Sequence, residues 1–199
     1  MKGIIEMKTA TRVYDSFVHA SAVVRKLNVV GIPDDDISMI ANRGATTDHE
    51  VGDTATGAAP GVGLGATVGG GAGLLAGLGL LAIPGLGPVV AAGWLASLLV
   101  GAGVGAAAGG VVGTLVEHGV SAEDAEVYSE AVRRGGTMVN VRYNEAMEDE
   151  VMAALDSESA MDTTSRRGEY ETSGWKGFDP AAPDYVGELP AGNRTRRVG

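Results

Sequence analysis

Cysteine is absent from all 199 residues, which excludes disulfides, thiolate nucleophiles and cysteine-based zinc sites. Aromatic residues are scarce at 5%, and the three histidines, His19, His49 and His118, stand far apart with none in an H-E-x-x-H arrangement. Basic residues are outnumbered by acids, 15 to 25, for a formal net charge of −10. That balance excludes the usual nucleic-acid binder, which draws its affinity from Lys and Arg on phosphates. It also argues against a polybasic membrane-surface protein. The most informative absence is local: from Thr54 to Val116 there is no Asp, Glu, Lys, Arg or His.

What fills that stretch is glycine at a fixed spacing. Gly57, Gly61, Gly65, Gly69, Gly73 and Gly77 recur every fourth residue, and after an interruption Gly93, Ser97, Gly101, Gly105, Gly109 and Gly113 resume the series. Residues four apart share one face of an α-helix, so each half carries a stripe almost without side chains. Such stripes let two helix backbones approach closely. The spacing predicts a helical hairpin over 54–117, with helices over about 60–83 and 88–117 and a turn at Pro84, Gly85, Gly87 and Pro88. Gly61, Gly65, Gly69, Gly73, Gly77, Gly93, Ser97, Gly101, Gly105, Gly109 and Gly113 are its expected helix-packing positions.

The chain on either side reads as an ordinary folded unit. Thr9 to Asp15 reads as a strand, Ser16 as an N-cap, and Phe17, Ala20, Val23, Val24, Leu27 and Val30 as the apolar stripe of a helix. Gly31 and Pro33 stop that helix, and Ile37–Ala41 suits a second strand, parallel to the first and in the same sheet. Ser121 with Asp124 opens another helix that ends at Arg133-Arg134-Gly135-Gly136. Thr137–Tyr143 alternates as a third strand, and Glu145–Leu155 forms a last helix. The expected fold class is α+β: a small three-stranded, half ferredoxin-like unit from residues 9–42 and 120–155, interrupted by the hairpin. Residues 156–199 lose all periodicity and are expected to be disordered. The aromatics there, Tyr170, Trp175, Phe178 and Tyr185, are candidate contacts for a protein partner.

Catalytic chemistry is not indicated. Gly77-Leu78-Gly79-Leu80-Leu81-Ala82 spells G-x-G-x-x-A, but a dinucleotide fingerprint follows a strand, opens a helix and has an acid some way on, and none of these holds in this reading. Asp48-His49-Glu50 with Asp53 reads as a solvated acidic linker, Arg133-Arg134 as a helix-end charge pair, and Trp94 as a packing or interfacial residue. The sequence therefore predicts no catalytic residue, no cofactor and no metal, and a protein that is not an enzyme.

Several stretches resemble one bacterial family, the general stress protein 17M-like or heat-induced stress protein YflT-type domain. They are Val13-Tyr14-Asp15-Ser16, Gly31-Ile32-Pro33-Asp34-Asp35-Asp36-Ile37-Ser38, and Ala125-Glu126-Val127-Tyr128 with Arg133-Arg134-Gly135-Gly136-Thr137-Met138-Val139. The most specific is the turn Leu81-Ala82-Ile83-Pro84-Gly85-Leu86-Gly87-Pro88; Gly174-Trp175-Lys176-Gly177-Phe178-Asp179-Pro180 is similar to tails of some members. The resemblance implies a stress-associated bacterial protein with a glycine-zipper segment and no established activity. Two readings of the hairpin stand. In one, arms of about 35–40 Å insert in the inner membrane, with the remainder in the cytoplasm, where the Met1–Glu6 start is also expected. In the other, the protein is a cytoplasmic homo-oligomer whose hairpins pack together as an internal core. The partners are accordingly the lipid bilayer, other copies of the chain, or both.

Overall fold

The computed structural model describes residues 7–45, 78–83, 85–101, 110–183 and 185. In chain order the elements are β1 (Met7–Tyr14), α1 (Phe17–Val29), β2 (Ile37–Asn42), β3 (Gly79–Ile83), β4 (Gly87–Gly93), α2 (Trp94–Gly101), α3 (Gly110–Glu117), α4 (Ala122–Arg133), β5 (Thr137–Asn144), α5 (Glu148–Leu155) and α6 (Thr163–Thr172). The fold is α+β, as expected, and the flanking segments form the expected elements. Helix α1 buries Phe17, Ala20, Val23, Val24 and Leu27 on one side. It stops at Gly31, whose φ of +102° suits a residue without Cβ. There the Ile32 N–H donates to the Leu27 carbonyl and the Gly31 N–H to the Asn28 carbonyl, each at 3.0 Å, closing the helix end. At the start of α4 the Ser121 Oγ accepts from the Asp124 N–H at 3.1 Å, the cap the sequence predicts. Ser16 stands at the N-cap position of α1 without a side-chain capping bond.

The five strands form one antiparallel sheet in the order β1-β5-β2-β4-β3. Strands β1 and β2 are parallel to each other, but β5 lies between them and pairs antiparallel with both. The same arrangement repeats on the other side: β2 and β3 are parallel, with β4 antiparallel between them. Helix α1 belongs to the first connection, and residues 46–77 make the second.

Both faces of the sheet are covered over its central strands, while Leu80 and Ala82 of the edge strand β3 are exposed. On the first face Met39, Ala41, Val90, Val139 and Val141 meet α1 and α5 through Val23, Leu27, Val151 and Leu155. On the second, Ile40, Val89, Ala91 and Met138 meet α2, α3, α4 and α6 through Leu95, Leu115, Val132 and Tyr170. Alternate residues of β2, β4 and β5 thus enter different cores.

This corrects the expected hairpin. Residues 79–93 are not helical: Leu81 pairs with Val89 and Ile83 with Gly87, so the region between the two glycine series is a β-hairpin that widens the sheet from three strands to five. The turn is where expected, with Gly85 at φ +81° and Gly87 at φ +76°, but it joins strands. Strand β4, buried on both faces over Val89–Ala92, reads as an unbroken apolar run, as a buried helix does, and β3 is apolar although Leu80 and Ala82 are exposed, so periodicity cannot separate strand from helix here. In the second arm Trp94–Gly101 and Gly110–Glu117 are helices, residues 102–109 between them lie outside the described residues, and no described helix is long and apolar enough to cross a membrane. The first arm through Gly77 lies outside the described residues.

The C-terminal region differs too. Residues 156–183, expected within a disordered tail, run back over the second face. The Met161 N–H donates to the Val13 carbonyl at 2.7 Å, and α6 starts under an Asp162 cap whose Oδ1 accepts from the Ser165 N–H at 2.7 Å. Tyr170 is buried, and Trp175 and Phe178 pack partly buried on the second core.

Candidate functional site

The expected packing positions divide into three groups. Gly61, Gly65, Gly69, Gly73, Gly77, Gly105 and Gly109, with Pro84 of the turn, lie outside the described residues. Gly93 does permit a close approach, though to a strand: it ends β4 at φ +93°, and a Cβ there would collide with the Ile37 carbonyl oxygen and the Ser38 side chain. Ser97 is exposed on α2 and donates to the Gly93 carbonyl at 3.2 Å, and Gly101 ends that helix. Gly113, on α3, has no atom within 4 Å of where its Cβ would stand.

The structure gathers a polar cluster that the sequence reading treated as scattered. Thr11, Asn140, Ser38 and Gly93 are paired in register across β1, β5, β2 and β4, so one row of the second face is polar. Asn140 is fully buried and donates to the Thr11 Oγ1 at 2.6 Å, while Ser38 Oγ accepts from the Leu95 N–H at 2.8 Å and holds the first turn of α2. At the end of this row the Trp94 ring lies 4.8 Å from His118 and 4.6 Å from the Arg142 guanidinium. Arg142 is held by Asp36 at 2.8 and 3.1 Å and by the Asp35 carbonyl at 3.1 Å. His118 Nδ1 is 2.7 Å from the Thr114 carbonyl. A carbonyl only accepts, so Nδ1 is the donor in that bond.

Chemically this cluster is closed. The charge of Arg142 is answered by Asp36, and among the described residues no hydrogen bond joins His118 to a hydroxyl or carboxylate. No group of three potential metal ligands occurs among them either. Asn140 Oδ1 and Trp94 Nε1 are buried without a partner among the described residues. No signal local in sequence could have found the cluster, because its members come from five separate stretches brought together by strand register.

A second cluster lies where the C-terminal segment docks. Glu130, only 1% exposed, receives both hydrogen bonds of the Arg133 fork, at 2.8 and 2.6 Å, and the Arg134 Nε at 2.5 Å. The bonds to Glu130 push the Arg133 pKa up, fixing its charge. The arginines in turn receive tail aromatics: Arg134 lies 4.3 Å from the Tyr170 ring and 5.2 Å from that of Tyr185, and Arg133 5.4 Å from Tyr185. Arg166 of α6 pairs with Asp15 at 2.6 Å. A cleft of about 220 Å³ lies between Arg134, Arg166, Asp15 and Tyr185, and another of about 400 Å³ lies between Tyr185, Asn42, Arg43, Leu86 and Pro88. Arg133 and Arg134 therefore do more than complement a helix dipole; they organise the docking of the tail. Tyr170, Trp175 and Phe178 contact their own chain.

The chain matches no family model, no curated protein and no solved structure.

Proposed function

We propose that this is a non-enzymatic, stress-associated bacterial protein that works by association, its glycine-rich stretch packing against that of other copies. The observation that carries the reading is the uncharged run from Thr54 to Val116 with small residues every fourth position. The resemblance of the turn, of Asp34–Ser38 and of Arg133–Val139 to the stress-protein family supplies the stress association. The α+β body supports the reading by offering a frame: the chain's own helices cover both faces of the central strands, and the charges of Arg134 and Arg142 are answered by Glu130 and Asp36. The β3–β4 hairpin counts against membrane entry led by the turn, because that turn is already committed, with Leu86 and Val89 buried in the second core. On this reading the protein resides in the cytoplasm.

Membrane insertion remains the second reading, favoured by the complete lack of charge in the same run. Analytical ultracentrifugation over a concentration range separates the two when paired with an alkaline carbonate wash of membranes from expressing cells. Self-association predicts an assembly in detergent-free buffer that Gly69→Leu with Gly105→Leu breaks down. A wild-type monomer at every concentration would sink it. Retention in the washed pellet, released by detergent, would place the glycine stretch in lipid instead.

A further inference from the structure

We propose that residues 161–183 form a latch which seats Phe178 and Pro180 against Gly85, holds the uncharged β3–β4 hairpin in the sheet, and thereby limits self-association. This rests on the association reading above. A Cβ on Gly85 would lie 2.6 Å from the Pro180 Cα and 2.7 Å from the Phe178 ring, so the turn and the tail segment fit only because that side chain is missing. The turn that is most specific to the family resemblance and the tail stretch that is similar to tails of some members are therefore in direct contact across about ninety residues of sequence.

The two parts are held very differently. The latch is tied at many points: Met161 to Val13, Arg166 to Asp15, Arg167 to the Glu123 carbonyl at 2.5 Å, Tyr170 under Arg134, and Arg133 to the Pro183 carbonyl at 3.3 Å. The hairpin has no charged side chain from Leu78 to Gly101, so its hold rests on backbone pairing and apolar contact. A two-stranded hairpin is marginal alone in water, and among the described residues β3 pairs only with β4. Both glycine series join directly onto this hairpin, at Gly77 and Gly93. While Gly79–Ile83 and Gly87–Gly93 are paired in the sheet, those residues cannot extend either series as helix, as the continuous helical hairpin encoded by the spacing would require. Association that requires the undocked form is weakened in proportion to the fraction of molecules that reach it.

Hydrogen exchange and sedimentation on the full chain test this, with Phe178→Ala as the variant. Amides of 79–93 are expected to exchange roughly tenfold faster or more, while those of β1 and β5 keep their protection. The concentration at half-assembly should fall by up to about the same factor. Arg166→Gln, which loosens the latch without touching the hairpin, should show the same pattern more weakly and serves if Phe178→Ala does not fold. Unchanged exchange over 79–93, or an equal rise across β1 and β5, overturns the latch. Faster hairpin exchange with unchanged wild-type-like assembly overturns the coupling to association. A wild-type chain that never assembles counts against the association reading itself, and the exchange pattern still decides the latch.

Discussion

Gly93 lies against the Ile37 carbonyl and Ser38 so closely that a single added carbon has no room. The contact joins the end of β4 to the start of β2, and the next residues, Trp94 and Leu95, open α2 from the same point, with the Leu95 N–H held by Ser38. Gly93→Ala combines a φ of +93° with a backbone collision, and should destabilise the fold by on the order of 3 kcal/mol. Urea denaturation measures this as a fall in the midpoint. A loss below roughly 1 kcal/mol would show that β4 and β2 separate easily.

Gly113 should behave in the opposite way. It is helical, and open space surrounds the position of its missing Cβ, so Gly113→Ala should raise the thermal midpoint by reducing backbone entropy in the unfolded chain, a gain of about 0.5–1 kcal/mol. If it is also a contact between copies, the same substitution weakens the assembly. Greater stability with weaker assembly would mark Gly113 as an intermolecular position; greater stability with unchanged assembly would remove it from that surface.

Glu130→Ala should be severe. It leaves Arg133 and Arg134, only 14% and 19% exposed, without the carboxylate that answers them, and breaking such a pair costs about 3–5 kcal/mol where it is well buried. Because Arg134 stacks on Tyr170, limited proteolysis should also show earlier cleavage in 161–183. A variant as protease-resistant as the wild type would mean that the latch does not depend on these arginines.

Tyrosine ionisation should set the alkaline limit of stability. Burial raises the pKa of Tyr14, Tyr128, Tyr143 and Tyr170 above the ordinary phenol value of about 10. Tyr14 also donates to the Leu155 carbonyl at 2.7 Å, a bond its phenolate cannot make. A raised folded-state pKa favours the protonated form, so this stabilisation is complete below the unfolded-state value and is lost as pH rises beyond it. The denaturation midpoint should hold up to about pH 10 and then fall steeply, with tyrosinate absorbance appearing together with unfolding. Tyrosines that titrate at their ordinary pKa while far-UV circular dichroism stays native would contradict the burial. Tyr14→Phe should cost about 1–2 kcal/mol at neutral pH.

How far each element could be read from sequence follows from the local marks it carries. Helices α1 and α5 bury one side each, and α1, α4, β1, β2 and β5 carry stops, caps, alternation or β-branched runs, so their positions are legible to within a few residues: β1 starts at Met7 where a strand from Thr9 is expected, and α5 at Glu148 where a helix from Glu145 is expected. Strands β3 and β4 are not: in β4 Val89 and Ala91 enter one core while Val90 and Ala92 enter the other, and in β3 Leu80 and Ala82 are apolar although exposed, so neither strand shows the polar–apolar alternation that marks one. One signal was present: the four-residue series ends at Gly77 and restarts at Gly93, and the two strands occupy the interval between. Helix α6 is polar and anchored mainly through Tyr170, which leaves the Asp162 cap as its only local mark.

By itself, then, the sequence determined the uncharged glycine-rich stretch, the body that flanks it and the turn at Gly85 and Gly87. These depend on contacts between residues near in the chain, where spacing, capping and backbone freedom act directly. Only the tertiary structure decided that the turn joins strands, that Trp94, His118, Arg142 and Asp36 meet, and that Phe178 fills the space Gly85 leaves. Those outcomes depend on which distant surfaces remain to be covered once the first three strands have paired, and no local pattern carries that information.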